Sequence, residues 1–204
     1  MPPAATPVGT ATGPAVTATI GADGGSLTGA DGRLTLVVPP GAVDQDTTFS
    51  IQPIENHAHG RIGGGYRLRP DDVRFAQPLR LTFGYADDEL AGTGPTALGA
   101  AFQRADRVWQ WAGTPTVDAT ARTVTVETDH FSDWALVAGL RLRPGRATVA
   151  TSDSVALKVI HCYAVPEEGL LAPLVGFRCD QGEGAPPPAD SSVSEWAVNG
   201  VAGG

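Results

Sequence analysis

Apolar and polar residues alternate with a period of two through most of this chain. In Arg33–Val38, Leu34, Leu36 and Val38 fall on one face. Thr47–Gln52 repeats the pattern, with Phe49 and Ile51 inward and Thr48, Ser50 and Gln52 outward. Leu79, Leu81 and Phe83 alternate along another run, and Val124 and Val126 along Arg122–Thr128. Such runs predict antiparallel strands with one wet face, and hence an all-β fold. Turn signals punctuate them. Asp23-Gly24-Gly25 and Asp31-Gly32 suit tight turns, because Gly accepts positive φ and Asp bonds back to the local backbone. Pro39-Pro40-Gly41 ends the strand before it, since proline donates nothing to a ladder. Ala86–Thr96 reads as an exposed loop. Phe102, Trp109 and Trp111 belong to the next strand pair, with the two tryptophans on one face.

After Gly139 the pattern restarts. Val155, Leu157 and Val159 share a face with Lys158 opposite, and Gly182–Ser192, with Pro186-Pro187-Pro188, is an extended polar connector. Ser194–Gly204 reads as one more strand and turn. The expected organisation is a flexible lead-in over 1–16, a sandwich over 17–138 and a second β unit over 139–204.

Two resemblances sharpen this. The stretch IGADGGSLTGADGRLTLVVPPGAVDQDTTFSIQPI resembles the opening of the ZU-5 domain, and Gly65–Pro70 and Phe75–Leu79 are similar to its middle strands. The likeness covers roughly residues 17–138 and implies an antiparallel β-sandwich of short strands. LRLRPGRATVATSDSVALKVIHCYAV resembles the first strands of a bacterial immunoglobulin-like domain, and SEWAVNGVAGG its Trp-bearing strand. A complete sandwich of that class needs about seven strands. Too few follow Gly139, so the expectation is a partial domain, cut from a longer protein or completed by a neighbour.

Charge narrows the function classes. The 204 residues carry a net charge of −8, with no cluster of Lys and Arg. That lacks the counterion-releasing footprint of a nucleic-acid binder and the attraction to anionic lipid. No apolar run is long enough to span a bilayer, so membrane insertion is not expected. The N-terminus has neither the charged start nor the apolar core of a signal peptide. The two cysteines, Cys162 and Cys179, admit either a disulfide or two inert buried thiols; the exported character of the rest favours the disulfide. With no CxxC spacing, a zinc site is not expected, and no cofactor is implied.

Covalent chemistry has one place to reside: His130-Phe131-Ser132, within His130–Trp134. Ser132 is the candidate nucleophile against the Phe131 carbonyl, His130 the candidate base, and Glu127, Asp129 or Asp133 the candidate orienter of the imidazole. PIDD-like ZU-5 domains cleave themselves between Phe and Ser of the same tripeptide, which implies that role here. Against it, a closing strand wants an aromatic and an aliphatic run anyway. On a regular strand residues two apart stand roughly 6–7 Å from one another, so His130 reaches the hydroxyl only if the backbone bends. Register hints at a bend: Val124, Val126, Trp134 and Leu136 are even-numbered and Phe131 is odd, so either Phe131 is exposed or a turn or bulge interrupts the strand.

The remaining candidates are weaker. His57 and His59 have ligand spacing but no third partner; His161 adjoins Cys162; Asp44 with Asp46, and Asp87–Glu89, lack a dedicated calcium spacing. A hydrolase elbow is absent. Two expectations follow. The first is a non-enzymatic structural or interaction module of an exported bacterial protein, in the cell envelope or secreted, whose partners are proteins or neighbouring domains. The second is a self-processing domain that severs Phe131–Ser132 once and keeps its fragments associated. A third, carbohydrate binding through Trp109 and Trp111, requires both rings to be exposed.

Overall fold

The structure is a computed structural model that describes residues 4–71, 73–150, 153–166, 175–181, 196–198 and 201–203, with side chains through Cys162. The chain is all-β, and two antiparallel sheets make a β-sandwich. Numbering strands in chain order, the smaller sheet runs β2 (Gly25–Thr28), β3 (Leu34–Val38), β6 (Leu79–Gly84), β10 (Thr123–Thr128) and β9 (Thr116–Asp118). The larger begins with β1 (Val16–Ile20), β4 (Thr47–Ile54), β5 (Arg61–Arg69), β11 (Asp133–Ala138), β7 (Leu98–Gln103) and β8 (Trp109–Trp111). It continues through β14 (Val175–Gln181), β13 (Lys158–Pro166) and β12 (Leu140–Arg143). A separate hairpin pairs β15 (Trp196–Val198) with β16 (Val201–Gly203).

The alternating runs build the main core between the sheets. Leu34, Phe83 and Val124 stand side by side across three strands of the smaller sheet, and Leu36, Leu81 and Val126 form the next row. All are buried against Phe49, Ile51, Leu68, Trp134 and Leu136 of the larger sheet. Burying each large side chain contributes about 2 kcal/mol. β11 is buried along its whole length. Trp134 and Leu136 face the main core, whereas Ala135 and Val137 face a second, smaller one with Ala58, Ala101, Trp109, Ile160 and Cys162. A strand covered on both faces reads as a continuous apolar run, as Trp134–Ala138 does. Where β11 pairs with β5 the register shifts at Ala135/Leu136. Gly63 supplies the positive φ there, and a Cβ on it would meet Glu89 Oε1 at 2.9 Å.

Three expectations change. Residues 139–166 do not form a detached unit in their described part. β12 continues β11 through Gly139, whose N–H donates to Ala97 O and whose carbonyl accepts from Cys162 N. The sheet therefore curls from β11 through β7, β8, β14 and β13 back to β12. The described part of the lead-in is tied down along the larger sheet. Thr10 and Thr12 pair with Glu55 and Pro53, and Thr6 bonds to Arg107, Gln103 and Trp109. Ala86–Thr96 is mostly half-buried and contains a 3-10 turn, Asp87–Leu90, fixed by the Arg33–Glu89 ion pair. Its following residues cover the open edge of β12, where Leu142 N donates to Gly92 O. The Pro186–Pro188 connector lies outside the described residues.

Candidate functional site at the link between the sheets

β10 ends at Thr128 in the smaller sheet and β11 starts at Asp133 in the larger, so residues 129–132 are the step from one sheet to the other. Of the two alternatives that register left open, that step is the interruption, and it accounts for the odd position of Phe131, which is buried. The Phe131 ring meets Phe75 edge-on at 4.9 Å and Phe49 at 5.9 Å. The backbone is pinned on both sides of it. Phe75 N donates to Asp129 O at 2.9 Å, and Leu68 N donates to Ser132 O at 3.0 Å. Thr128 Oγ1 accepts from His130 N and donates to His130 O, a local side-chain-to-backbone closure that holds the turn.

The catalytic candidates are brought close but not joined. His130 Nδ1 lies 3.0 Å from Asp129 Oδ1 and 3.4 Å from Thr128 Oγ1, and the ring packs edge-on to Phe102 at 4.6 Å. Asp129 is the orienter among the three acids proposed, and Arg74 holds its other oxygen at 2.6 Å. The hydrogen bond from His130, reinforced by Arg74, keeps the Asp129 carboxyl below its ordinary range. The Ser132 hydroxyl donates instead to the Asp133 carbonyl at 3.3 Å. Among the described residues no hydrogen bond connects the imidazole to that hydroxyl, so base and nucleophile are not engaged.

Asp133 has a different task. It is buried and takes a bidentate bond from Arg67, Nε at 2.8 Å and Nη2 at 2.7 Å, while the same Nη2 donates to Gly9 O. This hydrogen bond raises the Arg67 pKa. The pair locks the start of β11 to β5 and to the N-terminal segment. Arg67, Arg69, Arg104 and Arg107 also line a cavity of about 560 Å³ that includes His130 and Ser132. Sequence reading missed these arginines because strand pairing, not local spacing, delivers them; Asp133 beside the tripeptide was the one available cue.

The other candidates are placed as follows. Cys162 and Cys179 are register partners across β13 and β14. Cys162 N donates the other way, to Gly139, so the two cysteines occupy a non-hydrogen-bonded position, where side chains of an antiparallel pair come closest. No free cysteine occurs among the described residues. Trp109 is buried with its indole N–H on Thr6 Oγ1, and Trp111 is half-buried against the second core; sugar binding through this pair is excluded. His57 approaches Glu55 at 3.5 Å, and burial, with Arg61 nearby, lowers the pKa of His59. Among the described residues no three metal-ligating side chains converge. No family model and no curated protein matches the chain.

Proposed function

We propose that the chain is a non-enzymatic structural and interaction module, a ZU-5-like sandwich with immunoglobulin-like strands added, within an exported bacterial multidomain protein. One observation carries this reading: at the single place where the sequence permits covalent chemistry, the Ser132 hydroxyl is turned to its own backbone, and among the described residues no hydrogen bond joins it to His130. The link then serves as a seam. Buried Phe131 anchors the link in the core between the sheets, and the Arg67–Asp133 pair fastens its far end to the neighbouring strand of the larger sheet. The facing cysteines support an oxidising location, since their register suits a cross-strand disulfide, which in turn fits a secreted or envelope protein. Neighbouring domains or a protein partner are its counterparts. Denaturing electrophoresis of the purified chain after prolonged incubation is expected to give one intact band, and thiol titration to find thiols only after reduction.

The self-processing alternative keeps one specific support: the Phe131–Ser132 peptide sits in an interrupted, pinned link rather than a flat strand. In that reaction Ser132 Oγ attacks the Phe131 carbonyl and its proton passes to His130. His130 returns the proton to the Ser132 nitrogen as the C–N bond breaks, leaving an ester and a free Ser132 amine, and water opens the ester to a Phe131 carboxylate and the restored Ser132 hydroxyl. The step requires the Ser132 hydroxyl to turn from its own backbone toward Nε2 of His130, the ring nitrogen that the Nδ1 contact with Asp129 leaves available as base. Two bands that disappear in Ser132→Ala would establish it in place of the seam.

A further inference from the structure

The open face of the smaller sheet carries an ordered row of hydroxyls. Thr28 pairs with Thr35, Thr35 with Thr82, Thr82 with Thr125 and Thr125 with Thr116, so one threonine from each of the five strands stands in line. Strand spacing sets their separation at about 4.8 Å. Two of the pairs are bonded hydroxyl to hydroxyl, Thr28–Thr35 at 3.1 Å and Thr82–Thr125 at 3.0 Å, which fixes their orientation. Thr82, Thr125 and Thr116 line a trough of about 660 Å³. It adjoins a second cavity of about 390 Å³, and Ala112, Gly113 and Glu127 line both.

The second cavity has a different character. Phe102, His130 and Trp134 line it with the Gln110 amide, and the Phe102 and Trp134 rings lie 5.2 Å apart. The Trp134 indole N–H itself is buried beneath the cavity wall, without a hydrogen-bond partner among the described residues. The charges around the trough are matched: Arg80 faces Glu127 in register, and Asp129 is held by Arg74 and His130. An ionic ligand finds no unbalanced charge to meet. What fits is a neutral molecule with both an apolar face and many groups that donate and accept.

We propose that the trough and its aromatic end bind a neutral oligosaccharide. The apolar face of one sugar ring rests on Phe102, with His130 at its side, and hydroxyls of that ring reach Gln110 and Glu127. The following residues lie over Thr82, Thr125 and Thr116. This rests on the reading of the chain as an interaction module and gives it a ligand class.

The test is calorimetric titration of the full chain with cellohexaose, chitohexaose, xylohexaose and maltohexaose, with tetramethylammonium chloride as the charged control. Saturable binding of at least one sugar is expected. Glu127→Ala should weaken it about tenfold, by loss of a charge-assisted hydrogen bond. The isosteric pair Thr82→Val with Thr125→Val should weaken it about fivefold at an unchanged melting temperature. No binding by any of the four sugars, binding of tetramethylammonium alone, or equal affinity in all variants overturns the proposal. Failure here is separable from failure of the module reading, because that reading falls only if electrophoresis reveals cleavage.

Discussion

The two cores on either side of β11 are built from different materials. The one between the sheets is filled by Leu, Ile, Val and Phe from rows that interlock across strands. The one enclosed by the curl of the larger sheet is lined by alanines, Val137, Ile160, Cys162 and Trp109. Large aliphatics at period two suffice to specify the first. The second depends on close approach, for which small side chains are required. At Gly99, for example, a Cβ would lie 2.1 Å from Trp111 Cζ2, and at Gly60 one would meet Cys162 Sγ at 3.1 Å. The difference teaches that one strand can join two cores of unequal robustness, with stability resting on the larger and closure on the smaller.

Several changes probe that asymmetry. Asp133 opens β11, so both cores lose their common anchor when it is removed. Asp133→Ala leaves the mostly buried Arg67 guanidinium with the Gly9 carbonyl but no counter-charge, and is expected to cost about 4 kcal/mol in urea unfolding. Leu81→Ala in the main core should cost about 3 kcal/mol, and Val137→Ala in the second about 2 kcal/mol. If both cores belong to one cooperative unit, each variant shifts a single transition. A separate early transition confined to Val137→Ala would break the comparison.

The smallest effect concerns the bridge between the regions. Glu89 pairs with Arg33, the residue just before β3, and its backbone carbonyl accepts from Arg141 on β12 at 2.8 Å. The hydrogen bond to Arg33 is the main cause of its depressed pKa, below the ordinary 4.5. A carboxylate stabilised in the folded state adds stability that is fully present above that ordinary value and is lost as pH falls through the depressed one. Urea midpoints measured across the acid range should therefore decline more steeply for the parent chain than for Glu89→Gln.

Most of the main sandwich was legible because its signal is local. Leu34, Leu36, Phe49, Ile51, Leu79, Leu81, Phe83, Val124 and Val126 all point inward as alternation predicts. At 129–132 the change of parity at Phe131 left two alternatives, an exposed ring or an interrupted strand, and the burial of Phe131 in the link decides for the second. Alternation assigns a face but not its surroundings, and this limited the reading after Gly139. Val155, Leu157 and Val159 are 42%, 57% and 38% exposed, the first two before β13 begins, while Ile160 and Cys162 are the buried ones. At the site, His130, Phe131 and Ser132 were found from sequence, but their separate engagements were not. Phe102, Arg67 and Arg74 reach them only through strand pairing and loop closure over long sequence distances.

The central claim is that Phe131–Ser132 is a seam and remains intact. Intact-mass spectrometry of the purified chain, after extended incubation at neutral pH, tests it most directly. A single species at the mass of the uncut chain, identical in behaviour to Ser132→Ala, is the predicted result. Two fragments ending at Phe131 and beginning at Ser132, absent from Ser132→Ala, would contradict it.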